Sequence, residues 1–316
     1  MHRKTARAAA RTVALGGVLA LGLGSTQAAM ARPASGRLSC SANALSSALS
    51  SVSSGATIYL AAGCTYWLSS GLTDNKLDLT ITGLNSTLRQ APDTSDFTML
   101  TVDPGDTLTL NGVNFTGRGE RSDAEWHGGA IYNDGATLTV NGGTFRDNHS
   151  SEYGGAIYTD SGGSSLTVSG AYFTGNTAEY GGAIENGSAS TATISNSTFS
   201  QNSAPGSYDG GAIENDGTAN ISYSLFLGNT ARYGGAIENG GDLSTADNTL
   251  EGNLAYEGGG LYEQGATLDD NGSLIMSNSA AHLGGGIYNG SCVDATLSGT
   301  TLILNVVDNI YNHGDC

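Results

Sequence analysis

Three glutamates occupy matching positions of a repeated hexapeptide, and their carboxyl groups are the strongest candidates for chemistry in this 316-residue sequence. Glu185, Glu214 and Glu238 each follow the isoleucine of a Gly-Gly-Ala-Ile-Glu-Asn segment. If these segments stack as neighbouring parallel strands, successive carboxyl groups lie about 5 Å apart. That separation suits a retaining glycosidase, whereas Glu185 and Glu238, two steps apart, suit an inverting one. The row therefore predicts acid–base chemistry, and mutual repulsion would raise the pKa values of its carboxyl groups.

The glutamate row also fits a duplication or a metal site. Three neighbouring repeats could share glutamate because they arose by recent duplication. Alternatively the row could hold Ca²⁺, which needs six or more oxygen ligands and could take further ones from Asp209, Glu179 and Glu257. Calcium is thus a candidate ion, although nothing in the pattern requires a metal or another cofactor.

Aromatic residues flank the glutamates at the equivalent position of other repeats and just before the Gly-Gly pair. Their rings could stack on sugar faces. The candidate substrate-binding residues are Tyr132, Tyr158, Tyr180, Tyr233, Tyr262 and Tyr288. Arg232 is one of two cationic residues after Gly128, and beside Glu238 it could act as a base or charge stabiliser in β-elimination. The candidate catalytic set is therefore the three glutamates and Arg232.

The repeat itself predicts the elements that position these side chains. Its aliphatic residues are Ile131, Ile157, Ile184, Ile213, Ile237, Leu261, Ile287 and Ile310, with spacings of 26, 27, 29, 24, 24, 26 and 23. Each period holds two more strand-like segments separated by turn residues. The sequence therefore predicts an all-β, single-stranded right-handed parallel β-helix, a solenoid with three short strands per coil.

A second signature, an aromatic residue followed by asparagine three positions on, recurs in the same period. Examples are Phe145 with Asn148 and Phe173 with Asn176. In a solenoid the aromatic rings would form an inward ladder, and the asparagine amides would hydrogen-bond from coil to coil. These positions are expected to be structural, and only the residue after the isoleucine varies in a way that informs about function.

The N-terminus predicts export. Residues 1–31 have a basic start, an apolar stretch and the Ala29-Met30-Ala31 cleavage pattern of a signal peptide. Residues 32–316 would form the β-helix domain, with a cap and degenerate coils over 40–115 and the Gly-Gly-Ala-Ile repeats over 116–316. Leu45, Leu49 and Val52 predict a short amphipathic capping helix.

Four cysteines fit a secreted protein. A long solenoid would hold its N-terminal pair far from its C-terminal pair, beyond the reach of a disulfide of about 7 Å. The predicted disulfides are therefore Cys40–Cys64 and Cys292–Cys316, one at each end.

The net charge of the chain restricts the classes of molecule that it can bind. The net charge of −17 becomes −21 when residues 1–31 and their four basic residues are removed, since −17 minus 4 is −21. Such a surface repels nucleic acid and anionic lipid. The expected protein is a secreted, extracellular monomer whose partner is a polysaccharide.

The paired Gly-Gly-Ala-Ile and Phe-x-x-Asn signatures resemble the repeats of polymorphic outer membrane proteins. They also resemble right-handed β-helix repeats of the pectate-lyase-like superfamily, over about Thr57 to Asn312. The resemblance implies the fold, whereas that fold carries lyases, hydrolases and adhesins alike.

Three functions follow as hypotheses. The first is an extracellular carbohydrate-active enzyme, either a glycoside hydrolase or a polysaccharide lyase. The alternative is a non-catalytic cell-surface or glycan-binding solenoid. A more remote alternative is ice binding, suggested by the outward threonine column that begins at Thr137, Thr139 and Thr167.

Overall fold

The computed structural model describes residues 36–74, 78–95, 97–118, 127–160, 162–206, 209–290 and 295–312. The predicted signal peptide, residues 1–31, lies outside this part. The described chain forms a parallel β-solenoid with three strands per turn, which confirms the predicted β-helix. Within these residues no helix is long and apolar enough to cross a membrane.

One face of the solenoid carries the glutamates and is called the site sheet. Its strands pair in register, so that Ile157 lies beside Ile131 and Ile184, and Glu185 lies beside Glu214. The strands are Leu72–Asp74, Leu100–Val102, Ile131–Asn133, Ile157–Thr159, Ile184–Asn186, Ile213–Asn215, Ile237–Asn239, Leu261–Glu263, Ile287–Asn289 and Ile310–Asn312.

The second face, the threonine sheet, follows the site sheet in each repeat. Its strands alternate buried aliphatic residues with outward polar ones, as in Thr191–Ser195. They are Ala56–Tyr59, the first part of Asp78–Gln90, the first part of Thr107–Thr116, Thr137–Asn141, Ser165–Ser169, Thr191–Ser195, Thr218–Ser222, Asp242–Ala246, Thr267–Asn271 and Ala295–Ser298.

The third face, the phenylalanine sheet, completes each coil. It consists of Thr65–Leu68, the last parts of Asp78–Gln90 and Thr107–Thr116, Thr144–Arg146, Tyr172–Thr174, Thr198–Ser200, Leu225–Leu227, Thr249–Glu251, Leu274–Met276 and Thr301–Ile303. Leu254–Glu257 and Ser279–Leu283 form a small additional parallel pair.

Aromatic rings stack inside the solenoid as predicted. Phe145, Phe173, Phe199 and Phe226 are fully buried, and successive ring centroids lie 4.7, 4.8 and 4.8 Å apart. Isoleucines of the site sheet fill the same core. Burial of apolar area at every coil is the main source of solenoid stability, because each coil has little core of its own.

The predicted asparagine ladder is confirmed as a structural feature. The amide of Asn176 donates to Asn202 Oδ1 at 2.9 Å and to the Phe145 carbonyl at 3.0 Å. Asn202 and Asn229 repeat this pattern one and two coils on. Asn176, Asn202 and Asn229 each donate and accept within the stack, so identical side chains satisfy one another from coil to coil.

The glycine pair before each site-sheet strand is required by backbone geometry. Gly181 has φ of +60°, a left-handed conformation that favours glycine. A Cβ on Gly182 would lie 2.3 Å from the carbonyl oxygen of Gly211 on the next coil. The pair therefore sets the corner and the close approach of successive coils.

A helix, Ala42–Ser51, stands before the first strand and buries Leu45 and Leu49, as the sequence predicts. A disulfide joins Cys40 to Cys64, with Cα atoms 5.6 Å apart. This confirms the first predicted pair. The second pair, Cys292–Cys316, lies outside the described residues.

Candidate functional site

The glutamate row forms as expected but is covered. Register pairing places Glu185 beside Glu214 and Glu214 beside Glu238, with Tyr158 and Tyr262 at the two ends. The three glutamates are only 3, 6 and 4 % exposed, in chain order. The expectation of an open outward face is therefore wrong for these side chains, because neighbouring residues bury them on the outer side of the sheet.

A second column runs beside the row, formed by the residues that precede each Gly-Gly pair. Tyr153 pairs with Tyr180, and Asp209 pairs with Tyr233, each through a parallel bridge. The coils that carry the three glutamates thus present Tyr180, Asp209 and Tyr233 in this column. The column forms one wall of the site and contributes a fourth carboxylate to it.

Arg232 is not paired with Glu238, contrary to the expectation of neighbouring catalytic groups. Its guanidinium lies over the rings of Tyr233 and Tyr256, at 5.0 and 5.9 Å from their centroids. Burial raises the pKa of Asp209, and the guanidinium of Arg232 acts on it in the opposite direction. A role for Arg232 at the glutamates would require it to leave these two rings.

Each carboxylate of the row has one oxygen that lacks a hydrogen-bond partner. The Oε2 atoms of Glu185, Glu214 and Glu238 are all buried and accept no hydrogen bond within the described chain. Buried polar atoms in native proteins are nearly always satisfied, so three in one row mark a site rather than a packing detail.

Burial raises the pKa of Glu185, Glu214 and Glu238 well above the usual range of a carboxyl group, and nearby carboxylates raise it further. Burial also raises the pKa of Asp209, to about 6. Raised pKa values occur in acid catalysts and equally in ligand sites that await a cation.

Asp216 completes the site and was not expected from the sequence. Its carboxylate oxygen lies within 4.8 Å of oxygens of Glu185 and Glu214. Strand alternation could have identified it, because Asp216 follows Glu214 by two positions and such residues face the same side. Glu179 and Glu257, expected as further ligands, do not belong to this group, and Glu257 instead contacts His282 at 2.7 Å.

The candidate tyrosines stack on one another along the site sheet. Tyr132 and Tyr158 lie 5.6 Å apart with nearly parallel rings, and Tyr262 and Tyr288 lie 4.7 Å apart. Tyr233 contacts Tyr262 at 4.9 Å in a tilted arrangement. Neighbouring rings thus cover one another's faces, and a sugar would meet mainly ring edges and hydroxyl groups.

Hydroxyl groups at one end of the row converge on a single carboxylate. Tyr132 and Tyr158 donate hydrogen bonds to the two oxygens of Asp160, at 2.8 and 3.0 Å. His127 stacks on both rings. Both oxygens of the Asp160 carboxylate are therefore hydrogen-bonded, whereas each glutamate in the middle has an unpartnered oxygen.

A second buried ladder lies one residue beyond the glutamates. Asn186 donates to Asn215 at 2.7 Å, Asn215 to Asn239 at 2.6 Å, and Asn239 to both carboxylate oxygens of Glu263. Burial raises the pKa of Glu263 to about 7. Glu263 was not among the residues expected at the site, although it replaces asparagine at a repeated position.

Comparison with known proteins links the repeats to one family model. Residues 142–160 and 196–216 match the Chlamydia polymorphic membrane protein repeat. No curated protein and no solved structure gives a significant match. Both matched segments run from a Phe-x-x-Asn signature into a Gly-Gly-Ala-Ile strand. The chain is therefore a parallel β-helix with repeats of the polymorphic membrane protein type.

Proposed function

We propose that this chain is a non-catalytic cell-surface repeat protein that uses its site sheet to bind a polysaccharide. The observation that carries the proposal is the repeat match on a continuous parallel solenoid, an architecture that offers a long surface for binding. A surface location, after export by the predicted signal peptide, is part of this proposal.

The geometry of the glutamates favours binding over turnover. A glycosidase needs one protonated and one ionised carboxyl group, both reaching the sugar. Here all three glutamates are buried, with at most 6 % of any of them exposed, and burial raises the pKa of each well above its usual range. All three are therefore shifted in the same direction, whereas a glycosidase pair needs one of its carboxyl groups ionised.

Polysaccharide cleavage by Glu185, Glu214, Glu238 and Arg232 is the second candidate function. It is favoured by the raised pKa of the glutamates, which suits a general acid. It requires the covering side chains to move, since a catalytic carboxyl group must reach the glycosidic oxygen directly.

The binding surface would consist of the partly exposed tyrosines in the column that precedes the Gly-Gly pairs. Tyr180 and Tyr233 remain partly exposed beside the glutamate row. Their ring edges and hydroxyls can pack against sugar rings and hydrogen-bond their hydroxyl groups. The acidic surroundings favour a neutral glycan over a uronic-acid polymer.

The test measures binding and turnover on the same glycan panel. We expect wild-type protein to be retained on at least one insoluble neutral polysaccharide with no release of reducing ends or unsaturated products. Tyr180→Ala and Tyr233→Ala should each weaken retention. Tyr172→Ala, at a tyrosine that is 58 % exposed on the phenylalanine sheet, is the matched control and should bind normally.

Two results would contradict the proposal. Product release that disappears in Glu214→Gln would establish the enzyme instead. Equal retention of Tyr180→Ala, Tyr233→Ala and wild type would remove the site sheet from binding. The surface location is tested separately, by protease treatment of intact cells, which should degrade the chain while cytoplasmic proteins survive.

A further inference from the structure

The middle of the site sheet gathers oxygen atoms around one point. One carboxylate oxygen from each of Glu185, Glu214 and Asp216 lies within 4.8 Å of the other two. An ion with metal–oxygen distances of about 2.3–2.6 Å can contact ligands that far apart. The three residues come from two successive coils, so one ion would join both.

The missing hydrogen bonds of the row are a separate observation that points to the same place. Glu185 and Glu214 are more than nine-tenths buried, and the Oε2 atom of each is unpartnered within the described chain. Glu238, on the following coil, is also buried, and its Oε2 atom is also unpartnered within the described chain. Leaving three buried carboxylate oxygens without a positive or hydrogen-bonding partner is costly.

No basic side chain of the repeats is placed to supply that partner. After Gly128 the sequence holds only two cationic side chains, Arg146 and Arg232. Arg146 contacts Asp147 at 3.0 Å on the phenylalanine sheet, and Arg232 lies over two tyrosine rings. The row must therefore be neutralised by protonation or by a bound cation.

We propose that Glu185, Glu214 and Asp216 bind one Ca²⁺ ion. Glu238 and Asp209 add negative charge at the edge of the site. The ligands are all carboxylate oxygens, which suit hard cations, whereas zinc favours nitrogen and sulfur. Mg²⁺ fits less well because it demands a regular octahedron at about 2.0–2.1 Å, whereas Ca²⁺ accepts an irregular set of oxygen ligands at longer distances.

Access to the site comes from the side of Asp216. This residue is exposed and lines an open groove with Thr191, Thr218 and Asp242 at the edge of the threonine sheet. An ion can therefore enter without unfolding of the coils. Once bound, the ion would cross-link neighbouring coils, whether or not the site sheet also binds a glycan.

Calorimetry on the full exported chain, stripped with a chelator and then titrated with CaCl₂, tests the proposal. We expect one ion per chain and a rise of several degrees in the thermal midpoint, with weaker binding of MgCl₂. Asp216→Asn should weaken Ca²⁺ binding by about tenfold or more. Asp269→Asn, an exposed aspartate on the threonine sheet, removes the same charge and should bind like wild type.

Glu214→Gln gives a second test, in which the difference in melting temperature from wild type should change sign when CaCl₂ is added. In chelator it should melt above wild type, because one buried charge has been removed. In saturating CaCl₂ it should melt below wild type, because a ligand has been lost. Should this variant fail to fold, Asp216→Asn alone decides, since Asp216 is exposed.

The proposal fails on either of two results. One is a wild-type protein that shows neither heat of binding nor a change in midpoint with CaCl₂. The other is Asp216→Asn binding Ca²⁺ as tightly as wild type. Both can be told apart from a failure of glycan binding, because no sugar is present in the experiment.

Discussion

The asparagine ladder and the glutamate row are built by the same repetition but differ in their chemistry. In the ladder, Asn202 donates to Asn229 and accepts from Asn176. In the row, Glu214 lies between Glu185 and Glu238 with no donor among them. An amide that recurs on the next coil can hydrogen-bond to its neighbour, whereas a carboxylate that recurs on the next coil repels its neighbour.

This difference shows which repeated positions can be explained by structure alone. Within the ladder, Asn176, Asn202 and Asn229 complete their hydrogen bonds without a ligand. The row leaves buried oxygens unpartnered, so it depends on protonation or on a bound cation. Repeating an amide along a solenoid therefore adds hydrogen bonds between coils. Repeating a buried carboxylate adds repulsion, which protonation or a bound cation must relieve.

The largest expected effect comes from placing a carboxylate in the ladder. Asn202→Asp removes the hydrogen bonds that Asn202 donates to Asn229 Oδ1 and the Phe173 carbonyl. It also buries a charge. We expect a loss of about 3–5 kcal/mol in the free energy of unfolding, measured by urea denaturation.

The control for this change is Asn220→Asp, which makes the same substitution on the exposed face of the threonine sheet. It should alter the unfolding free energy by less than about 0.5 kcal/mol. Equal losses in the two variants would mean that the buried ladder is no more sensitive to charge than the surface.

A smaller effect is expected where a carboxylate already ends a ladder. Glu263 is fully buried, and its pKa is raised to about 7. A raised pKa in an acid means that the folded state binds the proton more tightly than the unfolded state. The ionised form therefore destabilises the fold above about pH 7, and stability increases as the pH falls toward the unfolded-state pKa of about 4.3.

Glu263→Gln should remove this contribution. We expect the variant to show a flatter dependence of the thermal midpoint on pH than wild type, measured in chelator. The three glutamates of the row act in the same direction, so some pH dependence remains. Glu251→Gln, at an exposed residue, is the control, and a variant slope equal to that of wild type would refute the assignment.

The smallest effect is expected at the end of the site that holds Asp160. Tyr158→Phe loses one hydrogen bond to Asp160, which keeps the one from Tyr132, and the stacked rings remain. We expect a loss of about 1 kcal/mol in the free energy of unfolding. Tyr172→Phe, at an exposed tyrosine, should have almost no effect, and a larger loss there than at Tyr158 would contradict the buried network.

Much of the fold could be predicted because equivalent residues of successive repeats stack on one another. The regular recurrence of isoleucine predicted the stacking register, and Phe145 with Asn148 predicted two ladders that the structure contains. The Cys40–Cys64 pair followed from the separation of the solenoid ends. Asp216 was missed because it lies beyond the recognised motif, and Glu263 because it replaces the asparagine of the motif in one copy only.

By itself, the sequence determined that Glu185, Glu214 and Glu238 lie side by side, since the strand period dictates which residues stack. Only the tertiary structure decided whether they are open or covered. Asp209, Tyr180 and Tyr233 reach the side of the row from a separate segment of each coil. The positions of these three residues depend on how each coil bends at its corner, which alternation along a single strand does not encode.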